Sequence, residues 1–131
     1  MGLTIEWLLI DCIDLQRMSD FWRAALDLEE VGLGPSGGRM LVGRDGSQPR
    51  LGLMPGGDRK TEKNRLHFDL RPDDQEVEVH RLEDLGARRI DIGQQGVSWV
   101  VMADPEGNEF CVSRSRHSLT TREVAERPWL A

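Results

Sequence analysis

The chain has 131 residues, of which 38% are hydrophobic and 31% charged, with a formal net charge of −6 and a pI near 5.1. This is enough chain for one domain with a continuous core, and its composition is that of a folded segment rather than a disordered one. The acidic balance excludes the basic face that nucleic-acid binding needs, and no apolar run has the length of a membrane span or the pattern of a signal peptide.

Residues 5–13 are apolar and β-branched, the pattern of a buried strand. Asp14 follows as a helix cap, and Met18, Phe21, Trp22, Ala25 and Leu26 then recur at helical spacing. Three further strands are predicted over 28–33, 39–43 and 50–54, with a turn at Gly34–Gly38 and another at Asp45-Gly46. The glycine-rich, charged stretch 55–64 is a linker. A second series begins with a strand over 65–70 and a helix capped by Asp73 or Asp74, with Val77, Leu82 and Leu85 as its apolar stripe and Gly86 as its stop. Strands over 88–92, 97–102 and 109–113 complete it, and the polar segment 118–131 forms a tail.

Trp7 and His67, like Asp14 and Asp74, are 60 positions apart, and both series run strand, helix, three strands. One such unit buries a single face of a small sheet, so two must pack together to close a core. The two cysteines, Cys12 and Cys111, form neither a disulfide framework nor a CxxC site. They are expected to be reduced thiols in a cytoplasmic protein.

Ile10-Asp11-Cys12-Ile13-Asp14 with Phe21-Trp22, Asn64-Arg65-Leu66-His67-Phe68-Asp69-Leu70, Leu85-Gly86-Ala87 and Asp104-Pro105-Glu106-Gly107-Asn108-Glu109-Phe110-Cys111-Val112 together resemble the glyoxalase-like branch of the vicinal-oxygen-chelate superfamily. That superfamily includes glyoxalase I, extradiol dioxygenases, and fosfomycin- and bleomycin-resistance proteins. The resemblance implies an α+β fold of two tandem βαβββ modules with curved sheets around a central cavity. Module one covers about residues 4–55 and module two about 64–115, within a domain of residues 1–117 followed by the tail 118–131. It also implies a homodimer.

In the metal-dependent relatives the ligands come from the first and last strands of each module. The matching positions here are Trp7, a residue of Arg50–Leu53, His67 and Cys111, and only His67 is a usual ligand. Strand alternation adds Asp11 and Asp69 to the inward face. No standard metal site is expected and no cofactor is called for, although an atypical divalent site from His67, Asp69, Cys111 and Asp11 stays open.

The expected activity is metal-independent binding of a small planar or cationic molecule in a cavity lined by Trp7, Asp11, His67, Asp69, Trp99 and Cys111. Tryptophan faces stack planar or cationic groups, while the carboxylates bind cations or hydroxyls. The alternative is a lyase, isomerase or dioxygenase-like enzyme, with an atypical metal site or with His67 and Asp69 as an acid–base pair. A third possibility is a vestigial cavity on a protein-binding scaffold.

Overall fold

A computed structural model describes residues 2–130, so the expected domain limit at Met1 and the tail's end at Ala131 lie outside the described residues. The chain divides into two compact units. One runs through Glu62 and takes in Pro105–Gly107; the other comprises Lys63–Asp104 and the residues from Asn108 on.

The first unit contains strand β1 (Leu8–Cys12), helix α1 (Leu15–Leu26), and strands β2 (Leu28–Leu33), β3 (Arg39–Gly43) and β4 (Leu51–Pro55). They form a four-stranded sheet in the order β1-β4-β3-β2. β1 pairs with β4 in parallel, with Leu9 opposite Gly52; the other pairs are antiparallel. Asp14 caps α1 as expected, accepting from the Arg17 backbone N–H at 3.1 Å. Met18, Phe21 and Trp22 on α1 are buried with Leu41, Leu51 and Leu53 of the sheet. Phe21 and Trp22 meet edge to face, with ring centroids 5.0 Å apart. The helix ends on Asp27 at φ 52°, an unusual place for a side-chain-bearing residue, and Arg44 pairs with the Asp27 carboxylate at 3.2 Å.

The second unit contains β5 (Asp69–Leu70), α2 (Gln75–Leu85), β6 (Arg88–Arg89), β7 (Val100–Ala103) and β8 (Glu109–Val112). Their sheet has the order β5-β8-β7-β6. β5 runs parallel to β8 with Asp69 opposite Cys111, as Leu9 stands opposite Gly52 in the first unit, an offset of 60 on the first strand of each unit and 59 on the last. The strand order, the parallel closing pair and the helix after the first strand recur in both units. The protein is therefore an α+β fold of two βαβββ modules, as the repeat predicts.

Several boundaries differ from those predicted. β1 begins at Leu8 rather than residue 5, and Leu3 and Ile5 are almost fully exposed. β5 has only two residues, so His67 stands ahead of it; even so, Cys111 N–H donates to the Phe68 carbonyl at 2.9 Å, which extends the pairing. On α2 the buried residues are Val79 and Leu82, and Val77 is exposed. The physical reason is angular: residues three apart share a helix face, whereas Val77 and Leu82 are five apart and do not. Asp74, not Asp73, caps this helix, and Gly86 ends it at φ 118°. The polar tail carries a short helix α3 (Thr121–Glu126), started by a capping box between Thr120 and Glu123. Among the described residues, no helix is long and apolar enough to cross a membrane.

Candidate functional site

Each sheet has one face toward its helix and one open face. In the second unit the open face forms a cleft of about 460 Å³ whose lining includes His67, Asp69, Trp99 and Cys111. Four of the six expected ligand-binding residues thus converge on one surface. Alternation along the chain explains the grouping. Residues 67, 69 and 71 point one way, as do 111 and 113, while Phe110 and Val112 are buried on the other side. The same alternation carries Arg71 into the lining, a residue outside the expected lining set although it stands two positions beyond Asp69. Arg114 and Ile92 also line the cleft. Arg114 breaks the alternation because β8 has already ended at Val112.

Asp69 is held by the Ser113 hydroxyl, which donates to Oδ1 at 2.8 Å. Arg71 Nη1 donates to the Arg114 carbonyl at 2.9 Å, and the Arg114 guanidinium is itself bound to the Glu123 carboxylate on α3. Gln75, at the start of α2, braces the floor: its side-chain amide donates to the carbonyls of Ser98, Val112 and Ser113 at 2.8, 3.2 and 3.1 Å. Burial, then the negative charge of Asp69, pushes the Cys111 thiol up from its ordinary value of 9.0, with Lys63 pulling partly the other way. Trp99 is 44% exposed, so one aromatic surface remains accessible at the cleft.

Trp7 and Asp11 belong to the first unit. Asp11 is exposed on the open face of β1, between exposed Leu9 and Ile13. Trp7 is half-buried, and the Arg50 guanidinium carbon lies 5.6 Å from its ring centroid, within cation–π range. Cys12 is buried on the helix side of β1 while Cys111 lines the cleft, and both are free thiols.

The Asp104–Asn108 turn is built twice over. Buried Asp104 accepts from the Asn108 backbone at 2.9 Å and from its side-chain amide at 2.9 and 3.1 Å. Within the first unit, the Glu106 carboxylate accepts from the Ile13 and Asp14 backbone N–H groups at 2.9 and 2.7 Å, at the entrance to α1. That is the end of a helix where negative charge is stabilised.

A catalytic divalent ion calls for about three protein ligands. On the first unit the corresponding positions are Trp7 and the Leu9–Gly52 pair, none of which offers a donor side chain. On the second unit His67, Asp69 and Cys111 line the cleft. Among the described residues no group of three or more His, Cys, Asp or Glu side chains is placed to hold an ion. Among the described residues, neither unit by itself groups three such donors for a divalent centre.

The profile of a glyoxalase-like domain family matches residues 7–113. Solved structures share the fold at low identity. The fosfomycin resistance protein FosX from Listeria monocytogenes, in a mutant form complexed with Mn(II) and 1S,2S-dihydroxypropylphosphonic acid, is 14% identical, with 96% of this chain and 98% of that one covered at a TM-score of 0.69. FosX from Mesorhizobium loti is 18% identical over 97% of this chain and all of its own, at 0.66. A glyoxalase/bleomycin resistance protein/dioxygenase family enzyme from Burkholderia phytofirmans is 19% identical over 82% and 94%, at 0.63. No curated protein matches the sequence.

Proposed function

Because the chain belongs to the glyoxalase-like domain family, we propose that it binds a small planar molecule in the cleft of its second unit, without a metal ion. The observation that carries this is the convergence of His67, Asp69, Trp99 and Cys111 on one surface, while among the described residues neither unit by itself groups three donors for a divalent centre. A volume of about 460 Å³ is within the size range of ligand pockets. Trp99 offers a stacking face, and His67 and the Asp69–Ser113 pair offer polar contacts. The sequence left planar and cationic ligands open; Arg71 in the lining weighs against a cation. Trp7 and Asp11, on the first unit, stay proposed as ligand-binding residues.

The test is a melting-temperature screen of small metabolites and antibiotics in the presence of chelator, repeated with Mn(II), Zn(II), Ni(II) and Fe(II). A ligand of the native state at a hundred times its Kd stabilises by about 2.7 kcal/mol. Stabilisation should occur in chelator and be lost in His67→Ala and Trp99→Ala. Stabilisation that needs a divalent ion would overturn the metal-free reading.

A second reading rests on His67 and Asp69 sharing the cleft. They would then act as an acid–base pair in a lyase or isomerase, with His67 abstracting a proton. Any ligand found in the screen, incubated in D₂O, should in that case gain deuterium at a carbon in the wild-type protein and not in His67→Ala. A cytoplasmic homodimer accompanies either reading, and sedimentation at micromolar concentration tests the dimer.

A further inference from the structure

We propose that the cleft selects a planar anion, a carboxylate-bearing aromatic or conjugated acid, with the acid group on Arg71 and the ring plane against Trp99. This rests on the cleft being the ligand site. The inference comes from how its charges are committed. Three charged side chains line it: Asp69, Arg71 and Arg114. Arg114 is compensated by Glu123. Asp69 has its Oδ1 engaged by Ser113. Arg71 spends one donor on the Arg114 carbonyl, which fixes the side chain while leaving the rest of a five-donor group for a ligand.

A guanidinium fork held in this way suits the two oxygens of a carboxylate, and fixing it beforehand spares ordering cost on binding. Arg71 is half-buried, so its charge is less screened than a surface arginine's. Asp69 sets the orientation. Standing two residues before Arg71 on the same face, about 7 Å away along an extended chain, it repels an anion from its own end and favours one at the arginine. A dianionic phosphate would be repelled more strongly by that carboxylate than a monoanionic carboxylate is. Trp99, 44% exposed, then receives the apolar plane.

The experiment is calorimetric titration with three isosteres of different charge, 2-naphthoate, 2-naphthamide and 2-naphthamidine. The wild-type protein should bind naphthoate at least about tenfold tighter than the amide, with the amidine weakest, a ratio corresponding to about 1.4 kcal/mol. Arg71→Met should erase the ranking, and Trp99→Ala should weaken all three. Should Arg71→Met fail to fold, Arg71→Lys keeps the charge without the fork and should lose at least threefold for naphthoate while leaving the amide unchanged. Equal binding of the three, a preference for the amidine, a ranking that survives Arg71→Met, or a naphthoate affinity unchanged in Arg71→Lys overturns the anion assignment and leaves the cleft reading standing. No binding of any isostere, or binding indifferent to Trp99→Ala, overturns both.

Discussion

The Ser113 hydroxyl reaches from the end of β8 to Asp69 on β5 and donates to its carboxylate at 2.8 Å. Because Asp69 is the register partner of Cys111, this bond fixes a negative charge beside the thiol. The cleft therefore contains a partly exposed cysteine whose thiol is pushed up by burial and by the Asp69 charge, the opposite of the low-pKa environment that marks a nucleophile. That argues for Cys111 as a lining residue rather than a reactive one.

The Cys111 environment makes a prediction with a definite sign. Burial and the Asp69 charge both raise the thiol above 9.0, in that order, and Lys63 lowers it. Asp69→Asn should shift the pH midpoint of Cys111 alkylation by iodoacetamide downward, yet leave it above 9.0 because the larger cause, burial, remains. Lys63→Met should shift it upward. Peptide mass spectrometry separates this signal from Cys12, which is only 1% exposed. An unchanged or higher midpoint in Asp69→Asn would remove the electrostatic account.

The fold was legible because its evidence is redundant. The two aspartate caps, the Gly86 stop and the 60-residue offset each point to the same repeated unit, and no single error could undo them. The site was legible only where strand alternation held. It grouped His67 with Asp69 and Cys111, and extending the same rule by two residues would have found Arg71. What sequence could not supply was commitment. That Arg114 is paired with Glu123 and Arg71 is held by the Arg114 carbonyl depends on tertiary approach. Those contacts are the ground for proposing an anion where the sequence allowed a cation. Val77 departs from the expected stripe for a different reason: on a short helix with few apolar residues, five-residue spacing does not give a shared face.

Gly57 follows β4, and its N–H donates to the Cys12 carbonyl at 3.3 Å. A Cβ there would lie 2.9 Å from the Asp11 carbonyl carbon and the Cys12 nitrogen, both backbone atoms that cannot step aside. Gly57→Ala should therefore destabilise the protein by about 1–3 kcal/mol, the usual cost of overpacking. Gly56→Ala provides a useful contrast, because a Cβ there meets nothing within 4 Å and its difficulty is φ 103° alone. Urea denaturation of the two variants measures both; a Gly57→Ala protein as stable as the wild type would show that the close approach relaxes.

Glu123 joins α3 to the cleft rim. It accepts from the Thr120 backbone N–H at 2.8 Å, completing the capping box, and it binds Arg114. The Thr120 backbone bond first, then the Arg114 bond and the Thr120 hydroxyl, hold its carboxyl at about 2, well below the ordinary 4.5. The native form thus favours the ionised acid more than the unfolded chain does. Its stabilising contribution is complete above about pH 4.5 and is lost as the pH falls through about 2. The protection factors of the amides of residues 121–127, taken against the intrinsic exchange rate at each pH, should accordingly stay high at pH 5 and fall progressively as the pH is lowered toward 2. In Glu123→Ala they should be low at every pH. Since Glu123 also neutralises Arg114, the same variant should bind 2-naphthoate at least as tightly as the wild type. Exchange in Glu123→Ala that matches the wild type at pH 5 would mean the tail is held by other contacts, and weaker naphthoate binding would mean that Arg114 needs its partner to stay in place.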